Sequence, residues 1–313
     1  MAGDIPGLAS GLHRAARVIV QDALGRGVGA TMPTNFEYQE RYGISAGTMQ
    51  RALAMLDDRG ALQVFSRGQL GRFIRTIDVA LCWQAGGLDP VRLLMPPAGP
   101  PEADTLAEYL AEGLTARGIP HTVHHLPGGT ARLAAVRGGR EDLTVVSSGT
   151  WTSDQADHPD DGAALLRELD AGSYYASGRL VIVRRKGDQR DAGLRVAIDE
   201  DSPDHAALTR AALPLQDGHR YVRTSFPGVP RAVLSERVDA GVWHVARSVV
   251  PLGLTGLRLD ALPGGPATEL ARSLSAAVLV GTSARPELRL AISELPLDGL
   301  AATQAEAIAQ SDD

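Results

Sequence analysis

Between residues 30 and 75 the apolar positions change period twice. Met49, Ala52, Leu53 and Leu56 recur at i, i+3, i+4 and i+7, one buried stripe on a helix. Ser45 stands just before that run, where its hydroxyl can satisfy a free backbone N–H, and Gly60 follows as a stop. The opposite side of this helix carries Ala46, Gly47, Gln50 and Arg51. A shorter helix is expected before it, Asn35 to Tyr42, capped by Thr34 after Pro33 and ended at the turn Tyr42-Gly43-Ile44-Ser45. Beyond Gly60 the texture becomes that of a hairpin. Ala61 to Phe65 reads as a strand, Ser66 to Gly71 as a turn with two glycines and Arg67, and Arg72 to Arg75 as the return strand. An earlier helix, Leu8 to Leu24, would bury Leu12, Ala15, Ala16, Ile19 and Ala23. Together these elements predict a winged helix-turn-helix over residues 1–80.

Small residues at the leading end of the second helix permit close approach to a nucleic-acid surface. Gln50 can bridge adenine N6 and N7, and Arg51 can bridge guanine O6 and N7. Thr48, Arg67 and Arg72 are placed to hold phosphates, with Thr34, Ser45 and Gly47 completing the face. The hairpin is a basic wing able to reach phosphates or the minor groove. The competing reading is a small helical packing unit with a hairpin and no nucleic-acid partner. The agreement of helix, turn, helix, wing and basic residues in order favours double-stranded DNA, bound by a homodimer with half-sites about one helical turn apart, ~34 Å.

Ile77 to Trp83 is apolar and reads as a strand or a short linker element, and Gln84 to Pro90 (QAGGLDP) as a linker between domains. From Val91 to the end, short apolar strands alternate with amphipathic helices, the texture of an α/β domain with mostly parallel sheet. Strands are expected at 91–95, 121–125, 143–146, 178–183, 194–198, 221–224, 240–243 and 276–280, and the segment 257–262 is expected to return to the first α/β unit. Helices are expected at 104–117, 128–137, 206–213, 230–238, 268–274 and 300–308, with a frayed tail at 310–313. The strands near 180 and 278 are candidates to cross between two lobes, lobe one at 91–175 and 257–313 and lobe two at 185–250.

Composition narrows the class. The chain has 313 residues, 44% hydrophobic and 22% charged, enough for two or three folding units. Its net charge of −6 is uneven: residues 1–80 hold nine Arg against seven Asp/Glu (+2), the remainder 22 Lys/Arg against 30 Asp/Glu (−8). A mildly basic head on an acidic body suits a DNA-binding head with few phosphate contacts and a body that stays off DNA. The single cysteine, Cys82, forms no intrachain disulfide and sits in an apolar run, as an inert buried thiol would. The N-terminal MAGDIPGLASGL shows no secretory signal and no run of eighteen apolar residues occurs, so a cytoplasmic protein without membrane contact is expected.

Over residues 8–75 the chain resembles the GntR family of bacterial regulators. The likeness is carried by Pro33, Gly43-Ile44-Ser45, Thr48, Ala52-Leu53, Leu56, Gly60, Gly68 and Gly71 before Phe73. It departs at Ala46 and Gln50, where that family usually carries arginines, so no operator sequence is implied. The body resembles the type II periplasmic binding protein architecture through GGTARLAAVRGGREDLTVVSSG, SGRLVIVRRKG, LRVAIDEDSPDHAAL and AVLSERVDAGVWH. The whole chain is similar to the YhfZ group of GntR-like transcription factors. That resemblance implies a multidomain α/β protein, an N-terminal winged helix-turn-helix followed by a bilobed effector-binding domain.

Ligands of open α/β sheets bind beyond the carboxyl ends of the strands. In lobe one that rule selects Pro96, Gly128-Gly129-Thr130 and Ser147-Ser148-Gly149. In lobe two it selects Asp199, Ser202, Asp204, Thr224-Ser225, Trp243 and His244, and in the crossing region Ser173, Tyr174, Tyr175 and Ser177. Hydroxyls and helix-start N–H groups favour a small polar or anionic effector, while Asp199 or Asp204 could instead hold an amine. Thr130, Ser202 and Asp204 also suit plain helix caps, and Ser147-Ser148 a plain strand end. No metal or cofactor is expected. His121 and His125 share a strand face but stand ~13 Å apart at 3.3 Å per residue. Gly128-Gly129-Thr130 lacks the lysine and spacing of a phosphate-binding loop. The favoured function is a one-component transcription regulator rather than an enzyme. The alternatives are an enzyme acting on a small acid through Asp199, His244 or Ser147, and a solute-binding protein that has lost its export signal.

Overall fold

The computed structural model describes residues 6–159, 162–247 and 255–312. The head begins with α1 (Pro6–Arg26), β1 (Thr31–Met32), α2 (Asn35–Tyr42), α3 (Ala46–Asp58), β2 (Leu62–Ser66) and β3 (Arg72–Ile77). Helix α2 starts on a reciprocal cap: Glu37 N donates to Thr34 Oγ1 at 3.2 Å and Thr34 N to the Glu37 carboxylate at 2.7 Å. It stops at Gly43, whose φ of 65° is the left-handed conformation a glycine adopts freely. Ser45 caps α3 through Thr48 N, and Met49, Ala52, Leu53 and Leu56 are its buried residues, the expected stripe. Strand β3 is central, antiparallel to both β1 and β2. Strand β1 is a third wing strand that two residues are too short to announce by pattern.

The chain continues as α4 (Val79–Gly86), β4 (Val91–Met95), α5 (Pro101–Ala116), β5 (His121–His125), α6 (Gly129–Arg137), β6 (Leu143–Ser147), α7 (Ser148–Asp157) and β7 (Ala163–Glu168). Next come β8 (Leu180–Arg185), β9 (Arg195–Ile198), α8 (Pro203–Ala212), β10 (Arg220–Arg223), α9 (Val229–Leu234) and β11 (Ala240–His244). Last are β12 (Leu257–Ala261), α10 (Pro266–Ser273), β13 (Ala277–Thr282), α11 (Leu288–Ser293) and α12 (Leu300–Asp312).

Two compact units result. One is built from the chain up to Arg92 with Ala111–Thr122 and Gly281–Pro296, the other from Leu93–Leu110, Val123–Val280 and the chain from Leu297 on. In the first, α1 packs against α3, α4 and α11. Gly25 lies so close to Pro286 that an added Cβ would stand 2.8 Å from its Cβ. The buried Glu287 carboxylate accepts from Arg285 Nε at 2.9 Å and Gln21 Nε2 at 3.4 Å. The Arg285 guanidinium also donates to the Asp89 and Pro90 carbonyls and lies 5.4 Å over the Trp83 ring. The Cys82 thiol donates to Ala61 O at 3.1 Å, and burial pushes it up to about 12.

The second unit carries two five-stranded sheets, ordered β5-β4-β6-β13-β7 and β10-β9-β11-β8-β12. Strands β4 and β6 run parallel, as do β9 with β10 and β11, while β8 is antiparallel to β11 and β12. Every residue of β6 is buried, as expected for a strand covered on both faces.

The structure corrects several expectations. The apolar stretch read as strand or linker is α4, with Val79, Cys82, Trp83, Ala85 and Gly86 buried; of the segment expected as linker, Gln84–Gly86 finish that helix and Leu88 is buried. Asp78 caps it and its face packs on α1, so tertiary burial overrides the loop-like QAGG. Ser147-Ser148-Gly149, read as a ligand-site segment or a plain strand end, does end β6 at Ser147 but also opens α7, because the Ser147 hydroxyl accepts from Thr150 N at 3.0 Å. Strand 257–261 was expected to return to lobe one; it instead pairs with β8 in the second sheet, Leu257 opposite Arg185 through Ala261 opposite Val181. Helix α11 and strand β7 had no sequence reading. Helix α12 runs through residues expected to fray. Residues 248–250, the expected end of lobe two, and Asp313 in the tail lie outside the described residues.

Candidate functional site

The outer face of α3 is free. Ser45, Ala46, Gly47, Gln50 and Arg51 are exposed, and Thr48 is half-buried. Thr48 Oγ1 lies 3.0 Å from Ser45 Oγ and accepts from Arg51 NH2 at 3.3 Å, so the arginine rests along its own helix with its charge unpaired by any ion pair among the described residues. At the wing, the exposed Arg67 guanidinium lies 5.1 Å from the Phe65 ring and 5.2 Å from the Phe73 ring, which stack on each other at 5.7 Å. That contact fixes the root of the wing while keeping the cation at its surface. Arg72 is half-buried opposite Ser66, and Thr34 is exposed with its side chain spent on the α2 cap.

In the body, a cavity of about 280 Å³ opens between the two sheets. Pro96, Gly129, Tyr175, Asp199, Ser202, Trp243 and His244, all expected at a ligand site, lie on its wall. Ser147 and Asp204 do not line it. They meet behind the Tyr175 wall, where the buried Asp204 Oδ2 accepts from Ser147 Oγ and from Tyr175 OH, the latter at 3.1 Å. Burial raises this carboxyl above its usual range, against the pull of the hydroxyls of Ser147, Tyr175 and Thr150. Thr130 is exposed on the first turn of α6, and Ser148 Oγ donates to Ser273 O at 3.0 Å; neither is part of the cavity wall.

Four wall or near-wall residues carry the geometry without having been singled out in the sequence. Arg132, 2% exposed, lines the cavity and donates to Val145 O at 3.2 Å, Leu126 O at 2.9 Å and Tyr174 OH at 2.8 Å. Its spacing to Ala135 and Val136 puts it on the buried face of α6, a signal visible in the sequence. The fully buried Glu102 carboxylate accepts from His244 Nε2 at 3.2 Å and Ala176 N at 3.0 Å. Although burial opposes ionisation, the hydrogen bond and charge of His244 hold Glu102 below the usual carboxylate range. His205, fully buried, accepts from Asp199 N at 2.9 Å through Nδ1 and lies 3.0 Å from Val242 O through Nε2, so the ring is neutral with its proton on Nε2. Burial lowers it to about 4. Phe226, whose ring lies 4.5 Å from His205, is drawn to the cavity because its N–H donates to Asp199 Oδ2 at 2.7 Å.

The groups with acid–base chemistry are thus occupied separately: Ser147 with Asp204, His244 with Glu102, Asp199 with backbone N–H groups. The histidines of β5 are also taken up locally, His124 beside Glu141 and His125 beside Pro96 O. Among the described residues no three His, Cys, Asp or Glu side chains cluster as metal ligands, and no helix is long and apolar enough to cross a membrane.

Known proteins place this architecture. Residues 78–312 match the family described as the YhfZ C-terminal domain, and residues 27–74 match a helix-turn-helix domain. The chain is 28% identical over 242 residues to the protein YhfZ of Escherichia coli (strain K12), covering 77% of this chain and 76% of that one. Its fold is similar to the crystal structure of YhfZ from Shigella flexneri, with a TM-score of 0.55, 23% identity, and 74% and 96% of the two chains covered. It is also similar to the periplasmic domain of BvgS from B. pertussis, with a TM-score of 0.51, 17% identity, and 75% and 45% covered. The body therefore has a periplasmic-binding-protein-like fold behind a helix-turn-helix head, the domains of a regulator.

Proposed function

The chain belongs to the family of the YhfZ C-terminal domain and carries a helix-turn-helix domain ahead of it, and from that premise we propose that it is a cytoplasmic one-component transcription regulator of GntR-like type. The observation that carries this reading is the orientation of α3: its apolar stripe is buried and Gln50 and Arg51 face outward beside a wing whose cation is held at its surface. A homodimer presents two such faces to successive major grooves of a two-fold operator. Gln50 and Arg51 read bases; Thr48, Arg67 and Arg72 hold phosphates, with Thr34, Ser45 and Gly47 lining the approach.

The cavity between the sheets takes a small polar or anionic effector. Differential affinity of that effector for two arrangements of the protein changes how the paired heads meet DNA. Genomic fragments retained by the purified full chain should share a two-fold sequence, and Arg51→Ala should release them. Retention of the same fragments at wild-type affinity by Arg51→Ala would remove the assignment of α3 as the reading helix.

A further inference from the structure

Resting on the cavity as an effector site, we propose that the effector is a small organic monocarboxylate with an apolar body. Its carboxylate meets Arg132 and the open start of α6, and its body lies against Phe226, Trp243 and Leu106.

The charge at the wall comes first. Arg132 is a permanent cation, 2% exposed, on the cavity surface. Its three hydrogen bonds all go to neutral oxygens, and among the described residues it forms no ion pair. A guanidinium has five N–H donors, so two remain. The three existing bonds fix its plane, and a fixed fork with spare donors matches a carboxylate. The buried Asp204 carboxylate feels this charge but forms no ion pair with it, and a carboxylate bound directly to the guanidinium further offsets the cost of its burial.

A second feature points the same way. Helix α6 begins at Gly128, which has no side chain to cap it, and both Gly128 and Gly129 lie on the cavity wall. The first-turn N–H groups are therefore left to a ligand, at the positive end of the helix dipole. Gly129 cannot be decorated: an added Cβ would stand 2.7 Å from Thr150 Cγ2.

The acidic groups nearby are accounted for elsewhere. Asp204 and Glu102 each keep one oxygen without a partner, but neither lies on the cavity wall. Asp199 does, yet its two oxygens accept from Phe226 N at 2.7 Å and Asp201 N at 3.1 Å. Asp199 keeps lone pairs for an amine, but it is half-buried and held by two backbone donors, whereas Arg132 is 2% exposed and has donors to spare, so the buried cation is the stronger anchor. Among the described residues on the wall, the other basic side chain, His244, is paired with Glu102, so a second negative charge on the ligand finds no second free cation there. Much of the remaining wall is apolar, with Met95, Pro97, Leu106, Phe226 and Trp243 among it.

Calorimetric titration of the full-length chain with phenylacetate, benzoate, hexanoate and isovalerate, each paired with its amide, tests this directly, with phenylalanine as the zwitterionic comparison. At least one acid is expected to bind, with its amide and phenylalanine tenfold or more weaker. Arg132→Met should abolish that binding, Arg132→Lys should retain part of it, and Trp243→Ala should weaken it while leaving the preference for acid over amide. The comparison of acid with amide needs no variant, so it stands even if Arg132→Met fails to fold. Amides or phenylalanine binding as well as the acids, with Trp243→Ala abolishing both, would overturn the monocarboxylate and leave the cavity an effector site. No heat from any probe would overturn both.

Discussion

Arg51 and His205 show how differently single side chains are committed. Arg51 is exposed and touches only its own helix through long bonds to Gly47 O and Thr48 Oγ1, so removing it costs the fold little. A bidentate base contact is worth about 1–3 kcal/mol of discrimination. Arg51→Ala should therefore lower operator affinity roughly ten- to hundredfold by gel shift while the melting temperature stays within a degree or two. His205 is the reverse: fully buried, neutral and bonded on both nitrogens. Its folded-state value of about 4 lies below the ordinary 6.5, so the unfolded chain takes up the proton first. Its contribution to stability is complete above 6.5 and is lost as pH falls from 6.5 toward 4, by about 3 kcal/mol in full. In His205→Asn the amide oxygen can still accept from Asp199 N. Urea unfolding at pH 7 and pH 4.5 should show the variant less stable at pH 7 but losing less on acidification than wild type.

At the scale of elements, the head is held by local chemistry that a sequence displays. Ser45 caps α3, and its replacement by alanine should cost about 1 kcal/mol. Leu56, fully buried on the same helix, should cost about 2–5 kcal/mol as Leu56→Ala. Equilibrium denaturation separates the two, and a smaller loss for Leu56→Ala than for Ser45→Ala would contradict the packing described. The same locality explains why α2, α3, β4 and β5 were legible: caps, stops and apolar period lie within each segment. Elements defined by distant partners were not. Helix α4 needs α1 to cover Trp83, six-residue α11 shows only Leu288, Ala291 and Ile292 of its pattern, and α7 depends on one hydroxyl. The cavity was legible as a rule about strand ends and the crossing region, which found ten of its wall residues. Arg132 escaped because a charged residue in mid-helix reads as solvated, although its spacing to Ala135 and Val136 marked the buried face.

At the scale of the whole molecule, the chain passes between its two compact units five times, at Arg92/Leu93, Leu110/Ala111, Thr122/Val123, Val280/Gly281 and Pro296/Leu297. The head is thus no simple appendage, since α1 packs on α11 and Gln21 binds Glu287. A chain lacking residues 1–80 should uncover the side of α11 that packs on α1 and bind a hydrophobic dye, whereas one behaving as a fully packed monomer would show that α11 does not need its partner. Within the second unit, two buried carboxylates tie the lobes across the cavity with opposite responses to acid. Asp204 of α8 takes the hydroxyl of Ser147 from β6, and burial raises it above 3.8, so the penalty of its charge is relieved as pH falls toward 3.8. Glu102 of α5 takes His244 of β11 and is held below 4.5, so its contribution is present above 4.5 and lost as pH falls through its folded-state value. Asp204→Asn keeps an oxygen for Ser147 and Tyr175 but has no charge to bury; it should be at least as stable as wild type at pH 7 and gain nothing on moderate acidification. Glu102→Gln should lose stability at pH 7 and show a flatter acid limb. Denaturant melts of both variants from pH 7 to 3.5 check the pair, and a destabilised Asp204→Asn at pH 7 would mean that the ionised carboxylate, rather than the bare acceptor, holds that side of the cleft.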